Sequence, residues 1–188
     1  NIVVFDLEFT SWKGSLQRNW SKNGEHREIV QIGAVMIDLE SNFKIINQFN
    51  CLVKPTINPY LSDYFVDLTG IDRLEVENEG VSFSNAYSKF LEFVNSSSTI
   101  YSNGNDGEVL RENCRLNKIE YMLDKEKIVN LRIWLAKKAS EYLGKKYEVI
   151  DSGDIIEVLT KKTSQKRKHN ALDDATSVSQ GIKILMNF

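Results

Sequence analysis

Ile2-Val3-Val4-Phe5-Asp6-Leu7-Glu8-Phe9-Thr10 is the stretch on which the rest of the chain turns. It begins as an apolar, β-branched run, the pattern of a strand covered on both faces and therefore central in its sheet. Side chains alternate along a strand, so Asp6 and Glu8 share one face, their Cα atoms roughly 6.6 Å apart. Two carboxylates at that spacing repel, and burial raises their pKa values. A buried strand holds such a pair only where a cation or an acid partner neutralises it. Alone, an Asp-x-Glu pair more often belongs to a strand that stops at Phe5 and leaves both acids in solvent. The rest of the chain decides between the two.

The 188 residues, 41% hydrophobic and 27% charged, match one soluble domain with a substantial core. The expectation is a single domain over 1–188. The net charge of −2 neither requires nor excludes a nucleic-acid partner, because a local basic groove and bound cations outweigh the total. Cys51 and Cys114 lack metal-ligand spacing and read as reduced thiols of a cytoplasmic protein. No apolar run is long enough to span a membrane, and no signal peptide is visible.

After the first strand, Ser11 to Arg27 reads as a long polar loop leaving the carboxylate end. Its Trp12 and Trp20 either stack on a base or pack the loop down; the residues alone allow both. Glu28–Ile37 and Phe43–Val53 read as strands two and three of an antiparallel meander. Leu61–Leu68 reads as a short helix closed by Gly70, and Glu75, Glu77 and Glu79 as a solvated connection. Ser82–Val94 has helical spacing, with Phe83, Ala86, Tyr87, Phe90, Leu91 and Val94 on one stripe. Thr99–Tyr101 is a short fourth strand. Asp106 opens a helix through about Leu116 and shares the inward face of Val109 and Leu110; the plainer role for an acid there is a cap.

Ile128–Leu131 reads as a fifth strand, Ile133–Leu143 as a helix, and Ile155–Leu159 as part of another. Lys161 to Lys168 is the most basic stretch. It reads either as a solvated loop or, with Lys168 beside His169, as a phosphate contact. In the last helix, Leu172–Met186, the residues Ala175, Val178, Ile182, Leu185 and Met186 define the buried stripe. Asp174 falls about 70° from its centre and Asp173 on the opposite side. His169 sits just ahead of that helix, within reach of Asp174.

Four inward carboxylates, Asp6, Glu8, Asp106 and Asp174, cannot all stay ionised together without divalent cations. Hard oxygen ligands suit Mg²⁺ or Mn²⁺, and a metal pair is the known arrangement for displacing phosphodiester oxygens. A histidine beside such a centre is placed to take a proton from an attacking water.

With those residues in order, the chain resembles the DEDDh 3′–5′ exonucleases of the ribonuclease H-like superfamily. Asp6-Leu7-Glu8 matches the first motif, Asp106 with Leu110 the second, and His169-Asn170-Ala171-Leu172-Asp173-Asp174 the third. The tyrosine-bearing branch would carry Tyr where this chain has Asn170. Val53-Lys54-Pro55, Leu61-Ser62-Asp63, Leu68-Thr69-Gly70-Ile71 and Glu28-Ile29-Val30-Gln31 make it most similar to the ERI-1-like exonucleases. The resemblance implies an α/β ribonuclease H-like fold with a central mixed five-stranded sheet flanked by helices. It implies two metal ions on Asp6, Glu8, Asp106 and Asp174, and His169 as general base. It implies a terminal-nucleotide pocket around Leu7, Phe9 and Thr10, and release of 5′-mononucleotides from an RNA 3′ end, with DNA or short oligonucleotides as the alternative substrates. A non-catalytic nucleic-acid-binding module is the competing class, and its signature would be a lost ligand or a lost His. Two positions depart from the family pattern. Asn105 stands where an aromatic residue often precedes the second-motif Asp, and Lys166-Arg167-Lys168 stands where Gly-Arg-x-His is common. Neither removes a ligand.

Overall fold

The computed structural model describes residues 1–162 and 169–187. β1 (Ile2–Phe9), β2 (Ile29–Asp38) and β3 (Lys44–Leu52) form the expected antiparallel meander. β4 (Thr99–Ser102) and β5 (Ile128–Asn130) add to the other side of β1 in parallel, giving the order β3-β2-β1-β4-β5. The sheet is therefore mixed and five-stranded, with β1 in the centre.

Both faces of β1 are covered, and by different helices. Val3, Phe5 and Leu7 pack with α3 (Phe83–Val94) and α4 (Asp106–Leu116) through Phe90, Val109 and Leu110. Ile2 and Val4 pack on the opposite face with α5 (Arg132–Leu143), α6 (Ile155–Thr160) and α7 (Ala171–Met186). Asp6 and Glu8 continue the alternation of Ile2 and Val4, so they emerge on the α7 face.

Between β3 and α3 lie α1 (Asp63–Thr69) and α2 (Arg73–Glu79). α1 ends on Gly70 in the left-handed region, with φ 61°. α2 corrects the sequence expectation, for the segment bearing Glu75, Glu77 and Glu79 is helical. Asp72 caps it, accepting from Leu74 N–H at 2.7 Å and Glu75 N–H at 3.3 Å, and Val76 is buried in a small third cluster with Phe65 and Ile71. Met186 is a second correction: it is 57% exposed, because α7 stops burying its stripe at Leu185. Leu91 is only half-buried, at the edge of the α3 stripe. No helix of the described residues is long and apolar enough to cross a membrane.

Candidate active site

β1 and β4 are hydrogen-bonded partners only as far as Val4 and Tyr101. Beyond that the two parallel strands part, and the crevice at their carboxyl ends is where open α/β sheets place ligands. The β1–β2 register shifts between Glu8 and Phe9, where Val30 of β2 is the extra, unpaired residue. Asp6 and Glu8 stand at this end of β1.

α4 brings the third acid. Asp106 is its first residue, and its carboxylate is eased by its own N–H, by Leu7 N–H and by the nearby Ser102 hydroxyl, which itself donates to Gly104 O at 3.2 Å. The bond from Leu7 uses a strand N–H in the region where β4 no longer pairs with β1.

α7 brings the fourth acid, and its approach depends on Gly33 in β2, the residue opposite Asp6. A Cβ at Gly33 would lie 2.1 Å from Leu172 N and 2.2 Å from Ala171 C. The missing side chain lets the first turn of α7 lie directly on the sheet. Gln31, opposite Glu8, ties the same turn down. Its Oε1 accepts from Ala171 N–H at 2.9 Å, while its Nε2 donates to Asn50 Oδ1 at 2.9 Å. Asn170 caps the helix by accepting from Asp173 N–H at 3.3 Å. Asp174, one turn in, then faces β1 and is buried, whereas Asp173 is half-exposed.

The result is four carboxylates in one cleft of about 540 Å³. Asp6, Glu8, Asp106 and Asp174 are each exposed by 9% or less. Burial raises all four pKa values. Asp6 lies well above the usual carboxylate range from burial and from the charges of Asp106, Glu8 and Asp174, offset in part by a hydrogen bond from Ser152. Glu8 is raised by burial and by Asp174 and Asp106. Burial lifts Asp106 to about 6, moderated by its hydrogen bonds and by the charge of Arg132. Burial lifts Asp174 to about 7, moderated by the His169 N–H.

His169 is exposed and has φ 60°, in the left-handed region. Its N–H donates to Asp174 Oδ2 at 3.3 Å. A ring nitrogen of His169 and carboxylate oxygens of Glu8 and Asp174 lie within 4.8 Å of one another. Asp174 Oδ1 is buried without a hydrogen-bond partner. The carboxylate oxygens of the four acids, their raised pKa values and a buried acceptor without a donor fit a hard divalent cation, with the His169 ring nitrogen beside them.

The cleft has two unlike ends. Leu7, Phe9, Leu16, Trp20, Tyr64 and Leu68 line an apolar end, and Asn103, Arg132, Asp151 and Ser152 line a polar one. Trp20 is fixed by Nε1 donating to Thr10 O at 2.9 Å and by packing on Phe9 with ring centroids 5.4 Å apart. The Arg27 guanidinium lies 5.8 Å from the Trp20 ring centre. Trp20 thus both packs the loop and walls the cleft, whereas Trp12 does not line it.

Of the residues expected at the terminal-nucleotide pocket, Leu7 and Phe9 line the cleft and Thr10 does not. The Thr10 hydroxyl donates to His26 O at 2.6 Å and accepts from Glu28 N–H at 3.1 Å, so it is spent closing the loop behind β1. Lys168 lies outside the described residues. Sequence reasoning did not single out Arg132, Ser152, Asn103 or Tyr64. The Asn103 amide donates to Ile150 O at 2.8 Å and to Ser152 Oγ at 3.3 Å, which holds the Ser152 turn against the site. No local signal marks these residues, because tertiary packing brings them to the cleft.

A family model described as Exonuclease (RNase_T) matches residues 3–180. The chain belongs to this family. Among curated relatives, ERI1 exoribonuclease 2 of Xenopus laevis is 33% identical over 91 residues, which is 47% of this chain and 12% of that protein. The 3′-5′ exonuclease eri1 of Schizosaccharomyces pombe is 34% identical over 73 residues, 39% of this chain and 24% of that protein. The matched stretches thus span a quarter or less of these relatives' lengths. Among solved structures, the nuclease domain of 3′hExo, a DEDDh family member bound to rAMP, superposes with TM-score 0.76 at 20% identity. That match covers 99% of this chain and 91% of that one. Cell-death related nuclease 4 gives TM-score 0.79 at 20% identity, over 99% of this chain and 63% of that one. The exonuclease domain therefore has the ribonuclease H-like fold of the DEDDh enzymes, and a family of that kind implies divalent metal ions.

Proposed function

We propose that this chain is one exonuclease domain, cytoplasmic in setting, that removes 5′-mononucleotides from the 3′ end of single-stranded RNA or of 3′ overhangs. The observation that carries the reading is the convergence of Asp6, Glu8, Asp106 and Asp174 with His169 in a single cleft. The RNA preference is supported by the relatives named exoribonucleases and by the 3′hExo nuclease domain solved with rAMP. The free thiols of Cys51 and Cys114 suit a reducing compartment.

In this reading Asp6, Glu8, Asp106 and Asp174 would hold two Mg²⁺ or Mn²⁺ ions. When bound, such a pair supplies Lewis acidity at the scissile phosphate and favours ionisation of a water. Neutral His169 accepts that water's proton on a ring nitrogen. The imidazolium formed is stabilised by the carboxylates of Glu8 and Asp174 and passes its proton to the solvent that reaches it. The Asp174 Oδ2 contact fixes the backbone of His169, which limits where the ring can swing. Leu7 and Phe9 supply an apolar seat for the terminal nucleoside, with Trp20 and Tyr64 as its outer wall.

The test is single-stranded RNA with a 5′ label, incubated with Mg²⁺ or Mn²⁺. The expected result is a descending ladder with released mononucleotide, abolished by EDTA and by His169→Ala. Matched DNA in the same assay sets the sugar preference. Faster loss of deoxynucleotides would overturn the RNA assignment. Tight binding without cleavage of either strand would overturn the enzymatic one.

A further inference from the structure

The two ends of the cleft differ in charge as well as polarity. Among the described residues lining it, Arg27 and Arg132 carry the fixed positive charge. Arg27 belongs to the apolar end and is engaged there, with Nη2 2.5 Å from Glu112 Oε2. Arg132 belongs to the polar end, and its ion pair is loose. Nη2 is 3.9 Å from Asp151 Oδ1, and both side chains are well exposed, at 44% and 73%. An exposed pair at that distance contributes little and is readily exchanged for a better anion.

Arg132 is nonetheless held in place by its backbone. It is the first residue of α5, a helix of 12 residues whose N-cap, Leu131, offers no side-chain acceptor. Its N–H donates to Asn130 Oδ1 at 2.9 Å, and Leu131 N–H donates to Ser102 O at 2.8 Å, next to the Asp106 turn. Gly104 in that turn lies between the two groups: a Cβ there would be in ordinary contact with Arg132 Nη1 at 3.9 Å and closer, at 3.2 Å, to Asp106 Oδ2. The guanidinium therefore stands beside Asp106, the acid whose pKa its charge lowers.

With the last nucleoside on Leu7 and Phe9 and the scissile phosphate over the acids, the polar lining at Arg132, Asn103 and Ser152 offers the remaining chain a path out of the cleft. Its first phosphodiester then meets Arg132. We infer that Arg132 binds the phosphodiester one step to the 5′ side of the scissile bond, so that the domain distinguishes a polynucleotide end from a dinucleotide. The guanidinium fork suits two phosphate oxygens, and the α5 N-terminus adds to the local positive field. Asp151 is the anion it exchanges. The inference rests on the exonuclease reading above.

The experiment compares ApApA, which has that second phosphodiester, with ApA, which lacks it. For the wild type, kcat/KM should favour ApApA. In Arg132→Gln that preference should shrink roughly tenfold, mainly through the KM for ApApA. The slope of log(kcat/KM) against log salt for ApApA should become shallower by about one charge. Arg132→Lys should keep part of the preference. Equal losses on ApA and ApApA would overturn the inference, since Arg132 would then act only on Asp106 or on the fold. An unaltered preference in the variant would also overturn it. If the wild type cleaved neither compound under Mg²⁺ or Mn²⁺, the exonuclease reading itself would fail.

Discussion

His169 N–H and Asp174 Oδ2 lie 3.3 Å apart, while Asp174 Oδ1 is buried with no partner. One carboxylate thus positions the candidate base with one oxygen and faces the other acids with its second. Asp173, one residue earlier, is half-exposed on the next strip of the helix. Asp174→Asn should lower kcat/KM on RNA by more than about a hundredfold, and Asp173→Asn by a few-fold at most. Equal losses would contradict the facing of α7. This difference was legible in the sequence, because helical phase separates the two acids once Val178, Ile182 and Leu185 fix the buried stripe. The positions of Asp6 and Glu8 followed just as directly from strand alternation. Thr10 was not legible. Its hydroxyl is taken by the loop that returns at His26 and Glu28, a contact across long stretches of chain.

Secondary-structure elements reach the site through a few close contacts. The crossing of α7 over β2 at Gly33 is the tightest of those that place Asp174. Gly33→Ala would drive a methyl group into the backbone of Ala171 and Leu172, which cannot yield without moving the whole first turn. The expected outcome is destabilisation of about 1–3 kcal/mol. A drop in kcat should accompany it at temperatures where the variant is still folded, read by denaturant melts and kinetics on the same preparation. A folded variant with wild-type kcat would mean that α7 can shift without disturbing Asp174. Most elements were legible from period and punctuation: α1 from Gly70, α3 from its six-residue stripe, α4 from Asp106. α2 was missed because three glutamates in seven residues look like a solvated linker. Its signal was present in Asp72 with Glu75, a cap followed three residues later by an acid, and in Gly80 at the stop. What anchors α2 is Val76, which packs with Phe65 and Ile71, a contact between elements that no local pattern shows.

The whole fold gathers four acids from β1, α4 and α7, and at neutral pH the metal-free molecule bears the cost. Folding raises the pKa of Asp106 to about 6 and of Asp174 to about 7, chiefly by burial, and raises Asp6 and Glu8 as well. A carboxylate raised on folding binds its proton more tightly in the native state. Its contribution is therefore most favourable at low pH and declines as pH rises from the unfolded value through the folded one. For Asp106 and Asp174 the decline spans roughly pH 4 to 7 and then levels off. A cation that replaces those protons should stabilise the fold most where the protons are gone. This coupling was legible in outline, since four inward acids demand neutralisation. The polar end of the cleft was not, because Arg132 arrives there through the β4–β5 pairing and Ser152 through packing with Asn103, contacts across long stretches of chain.

The central claim is that these four acids form a metal centre, and thermal unfolding across pH tests it most directly. Melting would be followed between pH 5 and 8, in EDTA and in millimolar Mg²⁺ or Mn²⁺. The predicted result is a cation-induced rise in Tm that is small at pH 5, grows through about pH 7, and is largely lost in Asp6→Asn and Asp106→Asn. The same rise at every pH, or no rise with either cation, would contradict it.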